Sequence, residues 1–390
     1  MNISRRKFMA ATAIGMAAAR TASAVHEAHR YKACIIGDTP RGGYGHSLHM
    51  VFALRPDVAV VGLADPDEAG RAKRAAECGA QRTYADYREM LEKERPDLVA
   101  IGPRWTVHHR EYLAACAEIG AHGLIEKPLC VDLEEADIMI AAISAKNLKW
   151  SIGFNMRATP TLRHVRNLVF EEGLIGDVLE MRGRGKEDHR SGGEDLVVLG
   201  PHVFDLMAWF MNGLPHWCFA DILHDGRPAA PGDVREATEQ LGPVVGDTLY
   251  AVFGFAKGVA ASFASVKNAG GRVGRFGLDL HGTRGVVAIR LDSVPDVTWL
   301  DTPLWSDGGW KPLPDAPHFA LADPARETYK PIVDDLILAI EEDRDPVINL
   351  KHGRDALEAV QAIFASHVHD RRLPLPLSQR AHPLKNWPAH

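Results

Sequence analysis

The chain has 390 residues, 46% hydrophobic and 25% charged, the balance of a globular protein long enough for two cores. Net charge is −6 with its 19 histidines counted neutral, and no long basic run follows the first few residues. That excludes nucleic acid as the expected partner and leaves small molecules.

Residues 1–24 read MNISRRKFMAATAIGMAAARTASA. Arg5, Arg6 and Lys7 precede a short apolar run from Phe8 to Ala19, and Ala22-Ser23-Ala24 satisfies the small-residue cleavage rule. The run is too short to cross a bilayer as a helix. Ser4-Arg5-Arg6-Lys7-Phe8 resembles the twin-arginine export signal, whose machinery carries proteins already folded. A periplasmic or secreted protein is expected. Cys34, Cys78, Cys116, Cys130 and Cys218 are odd in number and contain no CxxC pair, so they are expected as small buried hydrophobes, with at most a single bridge.

From Lys32 onward strands and helices alternate. Lys32–Ile36, Val58–Ala64, Asp97–Ile101 and Gly123–Ile125 read as short buried strands. Between them His46–Leu54, Glu68–Cys78, Tyr87–Glu94 and His109–Ile119 read as helices, and Leu133–Lys146 follows as another. This order predicts a parallel sheet.

The turn after the first strand is Gly37-Asp38-Thr39-Pro40-Arg41-Gly42. Against the dinucleotide fingerprint GxGxxG its outer glycines match and Thr39 replaces the middle one, which normally lets the backbone approach the pyrophosphate. Arg41 and the extra glycines are expected to rebuild an anion cradle at a helix start. Asp65 ends the second strand, where an acid receives the ribose hydroxyls, and no arginine follows at once to hold a 2′-phosphate. NAD is favoured over NADP; the rival reading of Asp65 is a cap for the next helix.

The stretch DLVAIGPRWTVHHREYLAACAEIGAHGLIEKPL, from Asp97, resembles the glucose–fructose oxidoreductase/inositol dehydrogenase (Gfo/Idh/MocA) family in its apolar strand, its Gly102-Pro103 turn, the spacing of His109 and the closing Glu126-Lys127-Pro128. Gly153–Arg157 is similar to the strand opening that family's second domain, Leu278–Gly285 to a late strand and turn, and Glu327–Leu377 to the closing helices. The resemblance implies an α/β chain: an N-terminal Rossmann domain (31–152), a C-terminal α+β domain with an open, mostly antiparallel sheet (153–377), and a polar tail (378–390). It implies a catalytic Lys127 beside the nicotinamide, where an ammonium can polarise a carbonyl or acidify a hydroxyl. Glu126 orients it or meets the ribose; Pro103, Trp105 and His109 complete the cofactor side, with a core aromatic as the rival reading of Trp105.

Ser191 to Asp205 is similar to the family's Gly-rich loop and Asp-x-x-x-His-x-x-Asp, with catalytic His202 as base and Asp205 facing substrate. Val198 stands where the first Asp belongs, and Asp195 is the nearest carboxylate that could reach in. The polar run Arg184–Asp195 reads as a sugar-binding or a solvated loop, so Glu187, His189 and Asp195 join Arg157 as substrate candidates. One histidine among scattered acids lacks metal-ligand spacing, so no metal is expected.

Strands are expected at Val178–Arg184, Thr248–Phe255, Val259–Val266, Phe276–Leu280 and Val286–Ile289, and an apolar helical stripe at Ile332, Val333, Leu336, Ile337 and Ile340 near the domain junction. The resemblance also implies a homo-oligomer, formed through the open sheet face. The expected activity is hydride transfer between a tightly held NAD and a sugar, polyol or derivative. An NAD-dependent glycosidase and a non-catalytic ligand-binding relative are the alternatives.

Overall fold

A computed structural model describes residues 30–269, 275–291, 294–302, 309–317 and 328–388; the leader read in residues 1–24 lies outside them, as does Glu327. The first sheet has six strands: β1 (Tyr31–Ile36), β2 (Val58–Ala64), β3 (Arg82–Tyr84), β4 (Leu98–Ile101), β5 (His122–Ile125) and β6 (Trp150–Ile152). They are all parallel, in the order β3-β2-β1-β4-β5-β6. Central strands covered on both faces must be apolar throughout, and Ala33–Ile36 and Leu98–Ile101 are fully buried. The helices α1 (Glu68–Cys78), α2 (Tyr87–Glu94), α3 (His109–Ile119) and α4 (Leu133–Ser144) cover it. Asp67, Asp86 and Asp132 cap α1, α2 and α4 by accepting from backbone N–H groups of the first turn, and left-handed Gly79 and Gly120 end α1 and α3.

Two expectations fail here. Residues 46–54 form no α-helix but two 3₁₀ turns, Leu48–Met50 and Phe52–Leu54. Gly43, Gly45 and Ser47 all hold positive φ, so no regular helix can start. Gly153–Arg157 is not a strand either: the chain leaves the parallel sheet at β6 and enters the short helix α5 (Asn155–Ala158), then α6 (Pro160–Phe170).

The second sheet contains β7 (Val178–Arg184), β8 (Trp217–His224), β9 (Thr248–Gly254), β10 (Ala260–Ser265), β11 (Gly277–Gly282), β12 (Val286–Arg290) and β13 (Asp296–Leu300). Along the path β13-β12-β11-β7-β10-β9-β8 every pairing is antiparallel except β7 with β10. Helices α7 (Gly193–Val198) and α8 (Gly200–Met211) lie between β7 and β8, and α9 (Lys330–Glu341) and α10 (Leu350–His369) come after β13. α8 packs on β7 and β11, and α10 on β8. The opposite face leaves Phe219, Tyr250 and Val252 exposed, with Phe219 directly across from Val252. The Ile332–Ile337 stripe of α9 meets β5 and β6, which puts it at the domain junction. All five cysteines are buried and unpaired.

Candidate active site

The turn after β1 is built by glycines, though not in the expected pattern. Thr39–Arg41 forms one 3₁₀ turn, and Gly42, Gly43 and Gly45 follow at φ 87°, 63° and 55°. Asp38 and Gly43 close it with reciprocal backbone hydrogen bonds of 3.1 and 2.8 Å. A Cβ on Gly42 would lie 2.7 Å from the Arg104 amide nitrogen, and one on Gly45 would lie 2.5 Å from Glu126 Oε2. Only glycine lets this backbone pass, so the cradle expected from a GxGxxG turn is supplied by Gly42–Gly45. Gly37 makes room for the ring of Tyr44, which stands 2.2 Å from where its Cβ would be.

Thr39 fills the place of the middle glycine and faces Asp65. Its hydroxyl donates to Asp65 Oδ2 at 2.7 Å and its N–H lies 3.1–3.2 Å from both carboxylate oxygens. The Asp67 N–H adds 2.9 Å to Oδ1. Asp65 is fully buried and clasps the turn; the helix cap is Asp67. A pocket of about 200 Å³ opens beside them at the carboxyl ends of β1 and β2, lined by Asp38, Arg41, Asp65, Asp86, Tyr87 and Tyr112 among others. It borders the reversal of strand order between β1 and β4, the place where open α/β sheets bind dinucleotides. The glycine cradle and this pocket fit an NAD.

β5 ends at Ile125, and Glu126-Lys127 follow inside the molecule. Glu126 is fully buried and faces His46 Nδ1 at 3.0 Å and the Tyr329 hydroxyl at 3.4 Å. Burial raises its pKa, but His46 and Lys127 outweigh that and hold it below the ordinary value. The Lys127 ammonium donates to the Val198 carbonyl at 3.1 Å, at the C-terminal end of α7. Val198, lacking the carboxylate that the motif expects, thus supplies a backbone acceptor. The other two ammonium hydrogens have no acceptor among the described residues. Burial pushes the Lys127 pKa down, with Arg104 and Arg190 adding to it and Glu126 and Glu239 opposing.

His202 lies one turn after Val198, on α8, with its ring edge-on to Phe154 at 6.0 Å. Burial pushes its pKa well below the usual value, and Lys127 and His46 add to the shift. Its Nδ1 is buried without a hydrogen-bond partner among the described residues. Arg104, Arg190 and Glu239 act on the charge of Lys127, and His46 on Glu126 and His202; of these, sequence reasoning reached only Arg190, within the polar loop. Glu239 belongs to the excursion between β8 and β9; its carboxylate lies 3.3 Å from Arg104 Nε and 4.0 Å from Arg190 Nη1. Nothing local marks such a residue. His46 was legible only as the first residue past the glycines.

Other candidates sit elsewhere. Trp105 is half-buried against Gly42, so it borders the cradle. His109 is fully buried with Nδ1 3.0 Å from the Leu129 carbonyl and Nε2 2.8 Å from that of Pro103. One nitrogen donates to its carbonyl while the other only faces one, since the neutral ring has a single N–H, and both nitrogens are turned to backbone beyond β4 and β5. Arg157 and Asp205 form a buried pair at 3.1 Å. They border a 220 Å³ pocket between α8 and α10, and Arg157 also borders a larger pocket, about 760 Å³, with Arg163, Trp209 and Lys330; neither contains Lys127 or His202.

The polar loop also departs from expectation. Glu187 is buried, accepting from the Val266 N–H at 3.1 Å and from Arg275. His189 has a side chain 85% exposed. Asp195 is fully buried and accepts from the Lys186 and Glu187 N–H groups and, at 2.7 Å, the Ser265 hydroxyl. It does not replace the carboxylate missing at Val198.

Residues 32–154 match the oxidoreductase family model with an NAD-binding Rossmann fold, and residues 162–288 match the GFO/IDH/MocA C-terminal domain. The levoglucosan dehydrogenase of Pseudarthrobacter phenanthrenivorans is 28% identical over 257 residues, 60% of this chain and 65% of that protein. The myo-inositol 2-dehydrogenase of Thermotoga maritima is 28% identical over 47% of this chain and 58% of its own length. The match thus spans less than two thirds of either relative. Among solved structures, a levoglucosan dehydrogenase in complex with NADH and levoglucosan has a TM-score of 0.71 at 23% identity, covering 89% of this chain and 99% of that one. An NAD binding oxidoreductase from Klebsiella pneumoniae has 0.70 at 22%, covering 90% and 100%. At such identity these two share the fold. Both halves of the family's architecture are matched over well more than half the sequence, and the chain belongs to the GFO/IDH/MocA oxidoreductase family.

Proposed function

We propose that the chain is an NAD-dependent dehydrogenase of a sugar, polyol or sugar derivative, with Lys127 and His202 at the reacting hydroxyl. The observation that carries this reading is a buried lysine with two uncommitted hydrogens acting electrostatically on a buried, neutral histidine with an uncommitted nitrogen. Bound NAD supplies the acceptor for a hydride. The Lys127 ammonium donates to the substrate oxygen and stabilises negative charge there. His202, kept neutral, takes the hydroxyl proton. With Asp195 committed to its loop, His202 serves as the base without a carboxylate partner. Arg104, Arg190 and Glu239 suit a ligand rich in hydroxyls, and relatives named for levoglucosan and myo-inositol support that class.

The deciding assay incubates the protein from Val25 onward with NAD and a panel of anhydrosugars, aldoses and inositols. NADH formation is expected. Sugar release without net redox change would replace this reading with a glycosidase, and neither outcome would leave a ligand-binding relative. We further read residues 1–24 as a twin-arginine leader, so changing Arg5 and Arg6 to Lys should trap the protein in the cytoplasm. The exposed Phe219, Tyr250 and Val252 are where we place a contact between copies.

A further inference from the structure

We propose that Asp38, and not Asp65, is the carboxylate that receives the adenosine ribose hydroxyls of the dinucleotide. The inference rests on the NAD reading above and concerns which side chain does the recognising. Three aspartates line the 200 Å³ pocket at the carboxyl ends of β1 and β2: Asp38, Asp65 and Asp86. A carboxylate can accept at about four lone-pair positions, so what matters is how many the chain itself consumes.

Asp65 is taken at both oxygens, by three donors. Its Oδ1 takes the Asp67 and Thr39 N–H groups, and its Oδ2 takes the Thr39 hydroxyl while sharing the same Thr39 N–H. For a ribose to use Asp65, Thr39 must let go, leaving a threonine N–H and hydroxyl without acceptors. Asp86 is exposed and caps α2, its Oδ1 accepting from the Arg88 and Glu89 N–H groups at 2.7 and 3.0 Å.

Asp38 is in the opposite condition. It is 2% exposed, and its Oδ2 accepts from Arg41 Nη1 at 3.1 Å and the Tyr112 hydroxyl at 3.3 Å. Its Oδ1 has no partner among the described residues. A buried carboxylate oxygen without a donor is costly, and a ligand hydroxyl arriving in the pocket would remove that cost. The backbone of Asp38 is held by its paired bonds to Gly43, so the carboxylate is fixed beside the glycine cradle. The departure at Thr39 and the new acceptor are then one event. A threonine in the fingerprint ties up the acid at the end of β2, and the residue before it takes over.

The test measures dissociation constants, without turnover, for NAD and for its 2′-deoxy and 3′-deoxy adenosine forms, on the unaltered protein, Asp38→Asn and Asp65→Asn. Losing a hydroxyl that donates to a carboxylate should weaken binding to the unaltered protein about tenfold or more for at least one analogue. In Asp38→Asn that penalty should shrink to about threefold or less, with NAD itself bound about tenfold more weakly. In Asp65→Asn the penalty should persist while thermal stability falls. A penalty that survives in Asp38→Asn, or vanishes in Asp65→Asn, overturns the assignment. Should Asp38→Asn fail to fold, the Asp65→Asn arm still decides. No NAD binding by the unaltered protein would instead remove the dinucleotide reading.

Discussion

Two clusters look alike in the sequence: Glu126-Lys127 with His202, and the run from Glu187 to Asp195. Both are dense in groups that could do chemistry, and both are largely buried. In the second, the chain has already spent the buried acids Glu187 and Asp195. Asp195 holds two backbone N–H groups and a serine hydroxyl, and Glu187 is closed by Arg275 and the Val266 N–H. In the first, Lys127 keeps two hydrogens and His202 keeps Nδ1. What distinguishes a candidate reactive cluster from a scaffolding one is therefore the unspent valence of its buried polar atoms, and the residue types alone do not show it.

The sharpest way to break this contrast is Lys127→Ala. Turnover should fall by about a thousandfold, in the middle of the range that a positioned proton donor contributes, with NAD affinity unchanged in a binding titration. Retained turnover would erase the distinction. His202→Ala should cost about a hundredfold and also alter the pH profile. Burial, then Lys127 and His46, hold the folded pKa of His202 well below 6.5, so the base stays neutral at neutral pH. The acid limb of kcat/KM should lie below pH 6.5 and disappear in the variant. The same depression costs stability on acidification, because the unfolded chain takes up a proton below about pH 6.5 that the folded one refuses.

On the scaffolding side the expected effects move from rate to stability. Asp195→Ala strands the two loop amides and the Ser265 hydroxyl, and should destabilise by about 3 kcal/mol in denaturant unfolding; a raised KM at unchanged stability would mean that the loop acid does face substrate. His189→Ala, on a side chain already in solvent, should leave KM and stability within about twofold of the original.

Much of the scaffold was readable because its signals are local. Asp67, Asp86, Gly79 and Gly120 punctuate α1, α2 and α3, and their bounds follow from caps and apolar spacing. β2 and β7 were likewise marked by their apolar and alternating runs. β6, at three residues, and β8, broken by Asp221 and His224, carry too weak a pattern. The Gly42–Ser47 stretch misled because positive φ is invisible in a helical apolar pattern. At the candidate site, Lys127 and His202 were nominated by motif. The commitments of Asp195 and Glu187 were hidden because Ser265 and Val266 lie 70 and 79 residues further on. Glu239 reaches Arg104 from a segment with no signature at all.

The end of the chain returns to its beginning. α10 packs on β8 and α8 of one domain and on α4 and β6 of the other, and beyond it Arg380 pairs with Asp137 and Lys385 with Asp132, on α4 and its cap. Neither core can melt without uncovering the other. Heating should therefore give one calorimetric transition whose van't Hoff and calorimetric enthalpies agree, and cutting the chain after Leu377 should split or broaden that single peak.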